Sequence, residues 1–233
     1  MRKLYFNTLA FVLFLSFSLS AQTIRAERDT YFTGVVESIY DGDTIRVLFP
    51  DRPKSVSIRF KGVDTPEIEF HGESQGEAAD QAREALESWI GVGSEVQILV
   101  QAGDPLNHSR LLGFVIYQGE DINLKLLKEG WAFPYLLVPF AEDFQESYTK
   151  ASKEAFDLRK GLFSQDNQEK LEALELMEPY LFRLERQGKT GHYFTGDYRT
   201  KKLFGPKETR SVPFYNRIFF HSLEAATKSG YSL

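Results

Sequence analysis

The sequence contains no cysteine, and this absence excludes several kinds of site. Without cysteine no disulfide can stabilise the fold, so stability must come from an apolar core. Soft and borderline metals favour cysteine or clustered histidine ligands, yet the four histidines are scattered at positions 71, 108, 192 and 221. A metal site in this chain is therefore expected to use oxygen ligands, which Ca²⁺ and Mg²⁺ prefer.

Long apolar runs are also scarce, and the one that approaches membrane thickness lies at the N-terminus. Residues 1–3 are a short basic start, residues 4–20 are apolar apart from Asn7 and several Ser and Thr residues, and small residues follow. This layout predicts a signal peptide over residues 1–21, and hence an extracytoplasmic protein, secreted or periplasmic, without stable membrane association. An uncleaved membrane anchor is the alternative interpretation.

Positive charge is deficient in most of the chain. Residues 31–164 carry a net charge of −9, whereas residues 189–217 carry +5. Non-specific affinity for nucleic acid comes mostly from Lys and Arg contacts to phosphates. The acidic region is therefore a poor non-specific nucleic-acid binder, although a bound cation would offset its charge and the basic stretch could supply a second contact.

Residues 31–163 have the pattern of a small α+β domain. Strands are predicted at about 31–40, 43–50, 55–63, 95–101 and 110–117, and helices at about 76–90, 121–129 and 141–160. Five short strands with a helix inserted after the third predict an OB-fold, which is a partly open five-stranded β-barrel, with three packed helices.

The character of the sequence changes after residue 163. Asp166 and Glu169 predict a capped helix, and its apolar stripe runs from Leu171 to Leu184. We therefore expect a helical extension over residues 164–188 and a small C-terminal α/β module over residues 189–233. That module is too small for a strong core of its own and is expected to pack against the preceding helix.

Two carboxylate-rich runs stand out within the β-rich region. They are residues 41–44 (Asp-Gly-Asp-Thr) and residues 63–67 (Val-Asp-Thr-Pro-Glu), separated by an alternating strand that carries Arg59. Carboxylate oxygens suit a hard cation, and Arg presents a planar fork of donors that pairs with phosphate oxygens. Together with Arg110, these residues predict a metal site beside a phosphate.

In these stretches the chain resembles the staphylococcal nuclease (thermonuclease) family over residues 31–163. The matching motifs are Asp41-Gly42-Asp43-Thr44, the run from Arg59 to Glu67, Gly76-Glu77-Ala78-Ala79, and the run from Ser109 to Val115. One Asp-Gly-Asp triplet alone is weak evidence for the family, because this triplet occurs in many turns. Four motifs in order, with both arginines and the glutamate, are highly specific.

The resemblance implies a set of metal ligands. Asp43, Asp64 and the backbone carbonyl of Thr65 match the residues that bind Ca²⁺ in the family. Pro66 biases Thr65 to an extended conformation, which leaves this carbonyl free of helical pairing. Asp41 is expected to support the ligands and to open the β-turn before Gly42.

The resemblance also implies catalytic roles. Glu67 matches the general base that deprotonates the attacking water. Arg59 and Arg110 match the pair that binds the scissile phosphate and stabilises its five-coordinate transition state. In an arbitrary chain these arginines would more often form surface salt bridges, but the neighbouring motifs favour the catalytic interpretation.

Three departures affect the substrate contacts. His108 replaces a tyrosine expected to contact a terminal phosphate. His108 can make that contact instead, and a loop histidine without a function is an equally good interpretation. Tyr135 lies one residue out of the register expected for base stacking, while Trp131 and Phe133 are better explained as core residues. The loop at residues 68–73, lysine-rich in the family, is acidic here.

The sequence thus predicts a monomeric Ca²⁺-dependent nuclease acting on DNA and on RNA, with preference for single strands. The resemblance implies 3′-phosphate and 5′-hydroxyl ends. One alternative is a non-catalytic OB-fold domain of the cell envelope that binds nucleic acid or protein. Another is an acidic Ca²⁺-binding structural protein.

Overall fold

The computed structural model describes residues 25–106 and 110–233. The strands are β1 (Thr30–Asp41), β2 (Thr44–Leu48), β3 (Val56–Phe60), β4 (Gly62–Asp64), β5 (Glu95–Val100), β6 (Arg110–Tyr117), β7 (Glu120–Asp121), β8 (Phe133–Leu137), β9 (Phe194–Asp197), β10 (Leu203–Phe204) and β11 (Arg217–Phe220). The helices are α1 (Gly76–Trp89), α2 (Ile122–Lys128), α3 (Glu142–Asp157), α4 (Gln165–Lys170), α5 (Pro179–Arg186) and α6 (Leu223–Lys228).

The predicted five-stranded barrel is confirmed. Its strands run in the order β3, β2, β1, β5 and β6, and parallel pairing between β3 and β6 closes the sheet. Val56, Ile58 and Phe60 alternate with less buried residues along β3, so one face of the strand lies in the core. The other face carries Arg59 outward.

A second sheet, which the sequence did not predict, joins the barrel to the C-terminal region. Its order is β10, β9, β11, β8 and β4. Strand β8 pairs antiparallel with β4, where Asp64 lies opposite Phe133, and parallel with β11, where Leu136 lies opposite Ile218. Because Pro134 lies within β8 and proline is unusual in a paired strand, this segment lacked a strand signature.

The C-terminal residues share the main core. Ile218 and Phe220 are fully buried in the same apolar cluster as the barrel residues Ile45 and Ile58. Tyr180 of α5 packs with Phe219 in a smaller cluster, so the expected contact with the preceding helix is present. The C-terminal region therefore packs on both the barrel and α5, while its division into separate units stays a prediction.

The prediction of one continuous capped helix, from Asp166 through the apolar stripe to Leu184, is wrong. Helix α4 ends at Lys170, and α5 begins only at Pro179. Ser164, not Asp166, provides the N-terminal cap, because its side chain accepts a hydrogen bond from the Asn167 N–H. Residues 171–178, between the two helices, are not helical.

Within residues 25–106 and 110–233, no helix is both long and apolar enough to cross a membrane. The predicted signal peptide at residues 1–21 lies outside the described residues.

Candidate active site

The first carboxylate run forms the tight connection between β1 and β2. Asp41 ends β1, and its side chain accepts a hydrogen bond from the Asp43 N–H at 3.0 Å. Asp43 is 3% exposed, and its Oδ2 accepts from the Thr65 N–H at 2.7 Å. A Cβ at Gly42 would lie 2.9 Å from Thr65 Oγ1, so the absence of a side chain there permits this approach. The two carboxylate runs are thus joined directly.

Asp64 pairs with two arginine side chains. It ends β4 and is 1% exposed. Arg59 Nη2 donates to its Oδ1 at 2.5 Å, while Arg183 Nη1 and Nη2 donate to Oδ1 and Oδ2 at 2.9 and 2.8 Å. Both oxygens of this buried group therefore accept charge-assisted hydrogen bonds.

Strand register brings Arg59 and Arg110 to one face of the barrel. Arg59 lies two residues after Ser57 on β3, and Ser57 is the register partner of Arg110 on β6. Side chains two residues apart on a strand point the same way, so the two guanidinium groups share the outer face. Arg59 is also ion-paired with Asp43, whereas Arg110 is exposed.

Glu67 lies in the loop after β4 and is partly buried. Its Oε1 accepts a hydrogen bond from Arg183 Nη1. Burial and the nearby Asp64 carboxylate raise the pKa of Glu67, and Arg183 opposes both effects. Burial similarly raises the pKa of Asp41, with Arg59 acting in the opposite direction.

These side chains surround a cleft of about 380 Å³. The lining residues are Tyr40, Asp41, Asp43, Thr44, Arg59, Glu67, Glu69, Phe70, Arg110, Tyr135 and Arg183. Asp64 and Thr65 lie beneath this lining and are buried. The structure thus brings all six predicted catalytic and metal residues into one region.

The two predicted substrate contacts differ in what the structure shows. Tyr135 borders the cleft, but its ring packs against Tyr180, Tyr193 and Phe219. Burial raises its pKa well above the ordinary value. His108 lies outside the described residues.

Arg183 is the component of the site that the sequence did not reveal. It lies on α5, in the extension after the predicted domain, and its guanidinium lies 5.8 Å from the centroid of the Tyr135 ring. The available signal was a cation on the apolar face of an amphipathic helix, between the buried Tyr180 and Leu184. That position implies a buried counter-charge without identifying it.

The donor chemistry fits a hard cation. Asp43 and Asp64 supply carboxylate oxygens, and the buried Thr65 Oγ1 has no hydrogen-bond partner among the described residues. No group of three or more His, Asp or Glu side chains in residues 25–106 and 110–233 is arranged as a metal site on its own. A cation would therefore depend on two carboxylates supplemented by backbone oxygen and water.

Comparison with known proteins gives two matches. Residues 57–165 match the sequence model of the staphylococcal nuclease homologues. The chain is also similar to Endonuclease YhcR of Bacillus subtilis (strain 168), with 31% identity over 223 residues. That match covers 91% of this chain but 18% of the relative, so the chain spans about a fifth of the relative's length. At 91% coverage the similarity also extends well into the C-terminal region after residue 165.

Proposed function

We propose that this chain, whose residues 57–165 match the staphylococcal nuclease family, is a Ca²⁺-dependent nuclease that hydrolyses phosphodiester bonds of DNA and RNA. The observation that supports this most is the convergence of Arg59, Arg110 and Glu67 on one cleft above the buried Asp43 and Asp64. The named relative is an endonuclease, which agrees with the proposal.

The proposed cation site consists of Asp43, Asp64 and the carbonyl of Thr65. Bound Ca²⁺ would neutralise carboxylate charge and lower the pKa of a coordinated water. The hydrogen bond that the Thr65 N–H donates to the Asp43 carboxylate fixes the relative position of the two carboxylate runs before any ligand enters.

The two arginines bind the phosphate in this proposal. Arg59 and Arg110 project from neighbouring strands of a closed barrel, so their separation is set by β-sheet register. Guanidinium groups held in this way stabilise the charge that develops on the phosphate oxygens, and each such donor commonly contributes about 3 kcal/mol to transition-state stabilisation.

Glu67 accepts the proton of the attacking water. Hydroxide adds to phosphorus, the bond to the 5′ oxygen breaks, and that oxygen takes a proton from solvent water to become a hydroxyl group, while Glu67 returns its proton to solvent. The products are a 3′-phosphate and a 5′-hydroxyl. The raised pKa of Glu67 makes it a stronger base than an exposed glutamate, although it must be ionised to act.

The substrate is proposed to be single-stranded or locally unpaired. An apolar cavity of about 260 Å³ adjoins the cleft and shares Arg59 and Tyr135 with it. A base can enter such a cavity only when it leaves the stacked duplex. We further propose that the protein acts as a monomer outside the cytoplasm, consistent with the N-terminal sequence pattern.

Replacing Glu67 tests the mechanism. Glu67→Gln removes the proton acceptor but keeps the side-chain size, so we expect cleavage of a fluorescent single-stranded oligonucleotide with Ca²⁺ to fall by about 100-fold or more. Circular dichroism and the thermal unfolding midpoint should show that the fold is retained.

The matched control is Glu69→Gln. Glu69 borders the same cleft and accepts a hydrogen bond from the Gly72 N–H, which a glutamine oxygen can also accept. We expect its cleavage rate to be no lower than that of the unchanged protein, because the substitution removes a negative charge beside the cleft and no group that the mechanism uses. Equal rates in the Glu67→Gln variant and the unchanged protein would refute the mechanism, and oligonucleotide binding without any cleavage would favour a non-catalytic OB-fold domain.

A further inference from the structure

Arg183 occupies the carboxylates that the proposed cation would use. It donates two hydrogen bonds to Asp64 and one to Glu67, and its side chain is 21% exposed. Asp64 lies 119 positions earlier in the sequence, so this is a tertiary contact. Arg183 adds one positive charge to a cleft in which Arg59 already pairs with Asp43 and Asp64.

The position of Arg183 is set by the packing of α5. Pro179 occupies the first turn of the helix, and Tyr180 and Leu184 are buried. Tyr180, before Arg183, and Leu184, directly after it, pack with Phe219 of β11 in one apolar cluster. These contacts make the approach of Arg183 to the carboxylates part of the folded structure, because the helix is anchored on both sides of it.

Binding of a cation to Asp64 competes with the present position of Arg183. Both oxygens of Asp64 accept hydrogen bonds from Arg183. A divalent cation bound to the same carboxylate would lie within a few ångströms of a guanidinium group, where repulsion between like charges in a poorly solvated site is strong. Ca²⁺ also requires several further oxygen ligands on its open side.

We propose that Arg183 is an exchangeable counter-cation of this site, which holds Asp64 and Glu67 until a divalent cation displaces it. The inference rests on the proposed function, since it requires the site to bind such a cation. Helix α5 then determines the cation concentration at which the site fills, because binding must be preceded or accompanied by release of Arg183.

The test measures Ca²⁺ affinity by calorimetry on the full chain in the absence of substrate. Arg183→Gln removes the competing charge, so the dissociation constant should fall by about tenfold, the factor expected if Arg183 is docked in about nine of ten molecules. An unchanged or larger dissociation constant would overturn the proposal.

Arg186→Gln is the matched control. Arg186 lies on the same helix, is also 21% exposed and is also ion-paired, but its partner is Glu73, outside the proposed cation site. Its replacement should leave Ca²⁺ affinity within about twofold of that of the unchanged protein, since no competitor is removed from the site. Equal tightening in both variants would show an effect of net charge and would contradict the specific role of Arg183.

A second measurement does not depend on the variant being folded. In the unchanged protein, the Arg183 guanidinium should give side-chain NMR signals with slow rotation about its C–N bonds, because both terminal nitrogens are held. Saturating Ca²⁺ should accelerate that rotation. A guanidinium that stays immobilised with the site filled by Ca²⁺ would overturn the proposal.

The oligonucleotide assay separates this inference from the proposed function. If the unchanged protein cleaves but Arg183→Gln leaves Ca²⁺ affinity unaltered, the inference fails and the nuclease function stands. If Ca²⁺ displaces Arg183 without cleavage, the inference stands and the function fails. If no Ca²⁺ binds, both fail.

Discussion

At the scale of residues, Asn123 fixes the strands that carry the site. This fully buried side chain donates to the carbonyls of Lys61 and Gly113 and accepts from the Val115 N–H. Lys61 follows the strand of Arg59, and Gly113 and Val115 belong to the strand of Arg110. One amide therefore connects the two arginine-bearing strands.

Asn123→Ala should destabilise the protein by about 3 kcal/mol, because the Lys61 carbonyl and the Val115 N–H lose partners in a buried position. The Gly113 carbonyl keeps its bond from the Lys61 N–H, which limits the loss. Urea unfolding followed by tryptophan fluorescence measures the change.

Asn167→Ala is the comparison, since its side-chain amide donates to a single carbonyl, that of Gly161. We expect a loss of about 1 kcal/mol there. Similar losses of stability in the two variants would show that the three hydrogen bonds of Asn123 contribute no more than the single bond of Asn167.

The candidate site could be predicted from sequence only where its residues fall within motifs. Asp43, Asp64 and Glu67 lie in short runs whose spacing is itself informative, and strand alternation placed Arg59 on the outer face. Arg183 could not be assigned in this way. Helical periodicity shows that it lies near buried residues, but no local pattern specifies a partner 119 positions away.

At the scale of elements, Gln75 explains why residues 171–178 do not continue the helix. Its buried amide donates to the carbonyls of Leu174 and Met177, and its Oε1 accepts from the Glu67 N–H. Carbonyls that accept hydrogen bonds from a side chain outside the segment do not need an N–H partner within a helix. The same side chain therefore supports the loop of Glu67 and positions the start of α5.

We expect Gln75→Leu to loosen both segments, because an apolar side chain of similar size leaves the two carbonyls without a donor. Hydrogen exchange should become faster in peptides covering residues 171–186 and should remain unchanged in β1 and β2. Stability should fall by about 3 kcal/mol.

Gln81→Leu serves as the control, since Gln81 lies on α1 and its amide donates to the side chain of Glu77 on the same helix. Its exchange pattern should match that of the unchanged protein. If the Gln75 variant also showed no faster exchange over residues 171–186, Gln75 would not be what holds this segment.

Most elements were predictable because their signals are local. The β1–β2 connection, α1 and α2 follow from turn residues, apolar spacing and glycine stops, and their observed bounds agree within about two residues, the usual uncertainty of helix ends. The exceptions are β8 and the segment at residues 171–178. Each depends on partners far along the chain: β8 pairs with β11, and residues 171–178 bind Gln75.

At the scale of the whole molecule, the barrel and the C-terminal region form one hydrophobic core. The two tryptophans, Trp89 and Trp131, both lie before residue 165, so their fluorescence follows unfolding of the barrel, although Trp131 also packs against the cluster that contains Leu171. Phe220→Ala, at a fully buried position in β11, should lower stability measured by this signal by about 4 kcal/mol.

The control is Leu223→Ala, because Leu223 is 43% exposed and its truncation removes few contacts. Its effect should be within about 0.5 kcal/mol. If Phe220→Ala left the free energy of unfolding measured by tryptophan fluorescence unchanged, the C-terminal region would unfold independently of the barrel.

The distance along the chain between Asp64 and Arg183 has a consequence for the order in which the site is assembled. A protein grows from its N-terminus, and its early segments are made and begin to fold first. Asp41, Asp43, Asp64 and Glu67 are all synthesised more than 100 residues before Arg183. In the proposed scheme, a free cation therefore has access to Asp64 and Glu67 in the nascent chain before Arg183, their internal competitor, has been synthesised.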